Sequence, residues 1–258
     1  AAREMTGGEY PDDGTGCDID GKNYTFIQYY CHNVYNAWVV PGIHSNAIAY
    51  LLTGDEAYAH RAAVMLAGVA EQYPGPKYHS QHCYGDQQGE TGAYGEDSGL
   101  VTDKIWSCIK IVDLARAYDA IYPIYERDPE LISFLQQKGC IQPGAEDPVS
   151  GAREFVENHI FRQAMQALLD GAISGNPGHH QLAALTIGLV MDDHSENSPN
   201  TYDVVRNAYY EGYAPTAWIF SNFVTRDGGG YEGPGYDRIK FNYIEIGQLM
   251  ERLREMHP

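Results

Sequence analysis

Apolar residues recur every three to four positions through most of this chain, the spacing that places them along one face of a helix. Val34 to Leu52 and Glu56 to Gln72 both follow it, and Thr53-Gly54-Asp55 between them supplies a stop and the next cap. So short a turn predicts two antiparallel helices. Thr102 to Ile121 reads as a strong helix with Ile105, Ile109, Val112 and Ala115 on one stripe and Pro123 closing it. Asp128-Pro129 opens a short helix that Gly139 ends, and Asp147-Pro148 opens another through Phe155, Phe161, Met165, Leu168 and Leu169 to about Ile173. His179 to Met191, Tyr202 to Tyr210, Thr216 to Val224 and Asp237 to Met256 complete eight or nine helical segments. Alternating runs are scarce, so the fold class predicted is all-α. No fixed period marks an ankyrin or tetratricopeptide array. Helical hairpins with loops gathered at one end suit a ring or solenoid.

Residues 1 to 33 carry Gly, Asp and Tyr with little periodicity and read as an irregular lead-in to a helical domain over 34–258. Tyr73 to Gly99 is a loop rich in Gly, Tyr, His, Gln and Asp, of a length that in a compact domain is functional or disordered.

Composition narrows the field. The 258 residues, 43% hydrophobic, suffice for one large core. The formal net charge of -18, with no Lys/Arg run, argues against nucleic acid as a partner. No run of about 18 apolar residues would span a membrane. The five cysteines include no C-x-x-C pair, so a thiolate metal site is not expected. They fit either one or two disulfides, Cys17 and Cys31 being the nearest pair in sequence, or buried thiols. His32, His44, His60, His159, His194 and His257 lack paired metal-ligand spacing and read as structural.

Two clusters carry candidate chemistry. Gly175-Asn176-Pro177-Gly178-His179-His180-Gln181 precedes the apolar helix that begins at Leu182. Paired imidazoles at a helix start sit where backbone N–H groups favour a bound anion and a neutral ring, so the site could grip a carboxylate. The plainer reading is a turn that His179 caps. The second cluster, Arg226-Asp227-Gly228-Gly229-Gly230-Tyr231-Glu232-Gly233-Pro234-Gly235-Tyr236, presents two phenols and a glutamate on an unusual backbone path. Its plainer reading is a connector whose tyrosines pack on helices.

Together the clusters resemble the heparinase II/III-like polysaccharide lyases, in which a Gly-Asn-His-Gln type helix start is followed by an Asp-Gly-Gly-Tyr-x-Glu-Gly-x-Gly-Tyr type loop. The separation of 56 residues (236 minus 180) is close to that between the family's catalytic His and Tyr. Leu51 to Ala59 and Leu114 to Tyr122 look like the family's recurring helices, so the resemblance spans about residues 34 to 250. It implies an α/α toroid of helical hairpins, complete or incomplete, secreted or periplasmic, acting on an anionic polysaccharide or oligosaccharide. Neither cofactor nor metal is implied, and neither nucleic acid nor membrane is a partner. The reaction implied is β-elimination. The C5 proton of a uronic acid is removed, the 4-O-linked sugar leaves, and a 4,5-unsaturated end remains. The resemblance gives carboxylate neutralisation to the helix start, hence to Asn176 and one of the paired histidines, with His180-Gln181 matching the family's step. The family usually has Asn directly before that His, where this chain has His179. Tyr236 matches the catalytic tyrosine, with Arg238 or Arg226 as neighbouring charge. Glu232 and Tyr231 are candidates for sugar contacts, and Trp106 and the loop that holds His82 for groove lining. The family's β-sandwich domain, which supplies a further His, is absent from this chain, so a missing domain or a second chain is expected to provide it.

Two other classes fit a helical ring. A glycoside hydrolase needs two carboxyl groups about 5 to 9.5 Å apart, and Asp86, Glu90, Glu96, Asp97, Asp227 and Glu232 offer candidates. A non-catalytic glycan-binding domain would keep the ring without the chemistry.

Overall fold

The structure is a computed structural model that describes residues 16–24, 33–74, 104–230 and 233–256. It is all-α apart from a two-stranded hairpin, β1 (Cys17–Ile19) and β2 (Lys22–Tyr24), paired antiparallel. The hairpin lies within the residues 1–33 read as a lead-in, of which 1–15 and 25–32 are outside the described residues. Asp20 and Gly21 both take positive φ, 51° and 80°, as the tight turn between twisted strands demands.

A π-helical turn, Tyr35–Val39, leads into α1 (Val40–Thr53), and α2 (Glu56–Gln72) follows. Gly54 ends α1 in the left-handed conformation, and Asp55 caps α2 by accepting the Ala57 N–H at 3.0 Å. The buried side of α2 is mostly alanine (Ala59, Ala62, Ala63, Ala67, Ala70), which lets the neighbouring helices come close. Then come α3 (Lys104–Ile121), the single turn α4 (Ile124–Arg127) and α5 (Pro129–Lys138). Next, α6 (Pro148–Val156) continues through a π segment, Glu157–Phe161, into α7 (Arg162–Leu169). The last elements are α8 (His179–Met191), α9 (Thr201–Arg206) with a π segment Asn207–Glu211, α10 (Thr216–Asn222), α11 (Pro234–Ile239) and α12 (Ile244–Met256).

Helices α1, α3 and α8 form the central row: α3 lies between α1 and α8. Outside them stand α2, the α6–α7 helix and α9, so the chain builds two layers of helical hairpins. Position in the row explains burial. On α3 the residues Cys108, Ile111, Val112, Leu114, Ala115, Tyr118 and Ile121 are all buried, more than the single stripe expected of it. On α8 nearly the whole first three turns are buried, from His180 to Gly188.

Two segments differ from the sequence-based expectation. The helix expected over Asp237 to Met256 is two helices, because turns at 240–243 redirect the chain where Lys240 and Tyr243 are buried. The long helix from Pro148 holds a π insertion that carries Glu157 to the Tyr118 hydroxyl, which donates to it at 2.6 Å. Tyr118 also sits edge-on to Tyr122 and Tyr125 and against Phe161, and burial together with Glu157 keeps its phenol protonated. Cys17 and Cys140 carry free thiols, and Cys31 lies outside the described residues. Among the described residues no helix is long and apolar enough to cross a membrane.

Candidate functional site

The turn before α8 is held from two sides. Gly178 stands at φ 104°, ψ −42°, a conformation open to glycine alone, and its N–H donates to the Gln181 side-chain oxygen at 2.6 Å. A Cβ there would lie 1.8 Å from the Ile239 carbonyl oxygen and 2.8 Å from Lys240 Cα. At Gly175 a Cβ would meet Cys108 Sγ on α3 at 3.0 Å. The turn is therefore clamped between α3 and the C-terminal end of α11, the helix that carries Tyr236. The histidine turn and the end of α11, three residues beyond Tyr236, touch through their backbones, and Gly178 makes the contact close.

The paired histidines face different surroundings. His180 has 0% of its surface exposed, and its Nε2 is 2.8 Å from Asn207 Oδ1, which accepts from the ring N–H. Burial lowers its pKa against the opposing pull of Asn207 and the Ile173 carbonyl, so the ring is neutral at pH 7. His179 is half-buried, and burial lowers its pKa as well. Its Nδ1 is enclosed and has no partner among the described residues. Asn176 is also half-buried; its carbonyl accepts the His179 N–H at 2.9 Å, which leaves its amide uncommitted among the described residues. Without exposed surface, His180 does not meet solvent; of the pair, His179 does.

Gln181 extends the framework. Its amide donates to the carbonyls of Ala214, at 2.7 Å, and Tyr213, at 3.3 Å, so the segment after α9 is tied to the α8 start. Asn207 opens the π segment beside it. Sequence reading placed Asn207 inside a plain amphipathic helix and gave it no role. The one signal available was an amide within an apolar stripe, since a buried amide requires a polar partner.

Residues 225–230 of the glycine-rich loop form a hydrogen-bonded turn. Gly228 N–H donates to the Thr225 carbonyl at 2.9 Å, and the Thr225 N–H to the Gly229 carbonyl at 2.8 Å. Gly230 N–H donates to Asp237 Oδ2 at 2.8 Å, and a Cβ at Gly230 would stand 2.0 Å from the other carboxylate oxygen. That oxygen accepts from Lys240 Nζ at 2.9 Å. Lys240, 1% exposed, also lies over the Phe223 ring at 5.4 Å. The lysine contact and the Gly230 N–H hold the Asp237 carboxyl below the usual carboxylate range. Asp237 and Lys240 thus fasten the loop to α11, a pairing that sequence reading missed although the residues stand at helical i,i+3 spacing.

Tyr236, 53% exposed, sits in the first turn of α11, and Arg238 beside it is exposed and forms no ion pair among the described residues. Trp106 is also 53% exposed, two residues before Cys108 on α3. Tyr213 and Trp218 are exposed on the segment that Gln181 holds and on α10. Tyr231, Glu232 and His82 lie outside the described residues, as do the acids Asp86, Glu90, Glu96 and Asp97. Among the described residues no group of three His, Cys, Asp or Glu side chains is placed to hold a metal ion.

Chemically, the α8 start offers the half-exposed imidazole of His179 and the Asn176 amide, and α11, which meets that turn at Ile239, carries the exposed Tyr236 phenol and Arg238 guanidinium. Such a set can bind a carboxylate and move protons at neutral pH. No family model, no curated protein and no solved structure matches the chain.

Proposed function

We propose that the chain is a polysaccharide lyase that cleaves a uronic-acid-containing glycan by β-elimination, on an α/α toroid of helical hairpins. The observation that carries the proposal is the backbone contact between Gly178 and Ile239, which joins the histidine turn to the tyrosine helix. The two-layer row of hairpins suits such a ring. The aromatic faces of Trp106, Tyr213 and Trp218 suit sugar rings.

In this reading the uronate carboxylate lies at the α8 start. His179 and Asn176 contact it because their side chains have exposed surface, and they donate hydrogen bonds to the charge that grows as the C5 proton leaves. His180 is a positioning residue: through Asn207, with Gln181 beside it, it fixes the turn that presents His179. As the proton is taken from C5, its bonding pair forms the C4–C5 double bond and the C4–O bond breaks. The phenol of Tyr236 delivers a proton to the departing oxygen. When Tyr236 enters the cycle as phenolate it takes the C5 proton itself; when it enters as phenol, the histidine of the further domain or chain takes that proton. The reading includes a further domain or chain that supplies another histidine.

Uronic-acid glycans incubated with the protein should yield the ultraviolet absorbance of a 4,5-unsaturated product. Tyr236→Phe should lower that rate at least about 100-fold while folding is kept, given the usual contribution of a positioned acid or base. New reducing ends without absorbance would identify a hydrolase instead. Full activity of Tyr236→Phe, or no elimination on any uronic-acid glycan, would overturn the proposal.

A further inference from the structure

A second constellation lies on other elements, where α1, α2 and α5 meet. Asn46, His60, Arg61, Val64, Met65 and Phe134 line a cavity of about 400 Å³ open to solvent, a volume within the range of small-molecule sites. Its lining is mostly apolar.

The rim is organised. Asp128 caps α5 by accepting the Leu131 N–H at 2.8 Å, and its second oxygen lies 2.7 Å from His60 Nδ1. Burial alone would raise the Asp128 pKa, but the Leu131 and His60 contacts outweigh it, so the carboxylate stays ionised. The His60 Nδ1–H donates to Asp128, which holds the ring in place beside the cavity. Arg61, exposed, stacks at 5.6 Å on Tyr58 and has no carboxylate partner among the described residues. Lys138 lies 5.5 Å over the ring of Phe134. In a chain of net charge -18, the Arg61 guanidinium places a positive charge beside an open apolar cavity.

We infer that this cavity binds a small aromatic carboxylate, its ring against Val64, Met65 and Phe134 and its carboxylate on Arg61. A guanidinium offers paired donors to a planar carboxylate, and burying the ring supplies the apolar contribution. Neither the site nor its ligand takes part in the proposed elimination.

Benzoate serves as the probe, and benzyl alcohol as its uncharged counterpart, in calorimetric titration of the full chain with the histidine ring resonances followed by NMR. Benzoate should bind saturably and shift the His60 ring signals. Benzyl alcohol should bind at least about tenfold more weakly, and Arg61→Ala should weaken benzoate by at least about tenfold, the usual size of a charge-assisted contact. Arg61 is exposed, so its variant should fold normally; Phe134→Ala should weaken both probes alike. The inference is overturned if benzoate does not bind saturably, if both probes bind equally, or if Arg61→Ala leaves benzoate affinity unchanged.

Discussion

Replacing Gly178 by alanine tests the contact on which the candidate site is built. Two effects add. The backbone at φ 104°, ψ −42° is costly for any residue with a Cβ, by about 1 to 3 kcal/mol. The new methyl would stand 1.8 Å from the Ile239 carbonyl oxygen, where an ordinary C···O contact is about 3.3 Å, so the chains must part by roughly 1.5 Å. The atom struck belongs to backbone, and no rotamer change relieves it. Forced separation of packed elements typically costs about 1 to 3 kcal/mol more, for a total of about 2 to 6 kcal/mol. Gly139 provides the control: it caps α5 at φ 76°, ψ 15°, and a Cβ there meets nothing within 4 Å. Gly139→Ala should therefore show only the left-handed backbone cost of about 1 to 2 kcal/mol. The assay is urea unfolding of both variants at unchanged m, with hydrogen exchange read across 234–239. Gly178→Ala should lose more stability than Gly139→Ala, and α11 should lose protection in that variant alone. Equal losses, with α11 still protected, would refute the claim that Gly178 joins the histidine turn to α11.

Other outcomes follow from buried polar groups. Asn207→Leu removes the acceptor of the His180 ring N–H in a fully enclosed site and should cost about 1 to 3 kcal/mol in urea unfolding; an unchanged midpoint would show that the pair is not needed. Tyr118→Phe removes the 2.6 Å bond to Glu157 and leaves that carboxylate without its phenol donor, for a similar loss, and undiminished stability would contradict it. The histidines set a pH response. Burial lowers the folded pKa of His179 and His180 below the unfolded value of about 6.5, so their contribution is complete above that value and declines as pH falls from it toward the lower folded values. Stability should fall by up to about 1.4 kcal/mol per histidine per pH unit in that window, and His180→Gln should flatten the decline. Equal wild-type midpoints at about pH 7.5 and 5.5 would be the contrary result.

Some of this protein was written in its local pattern. The 3.6-residue spacing of apolar side chains marks helices, and caps such as Asp55, Asp128 and Asp147 mark where they begin, because both effects act within a turn or two of chain. The clusters at 175–181 and 226–236 were visible for the same reason: unusual glycine content and paired histidines are local facts. Burial was not legible. Sequence alone could not tell that His180 would be enclosed while His179 stays half-exposed, since that depends on Asn207 arriving from another helix. Nor could it tell that α3 would be covered on several sides, that Lys240 would be buried against Asp237 and break the last helix in two, or that His60 would meet Asp128 68 positions later. Local propensity is decided by neighbours in the chain, whereas enclosure and long-range hydrogen bonds are decided by which helices pack together. The chemistry available at each side chain follows from that packing.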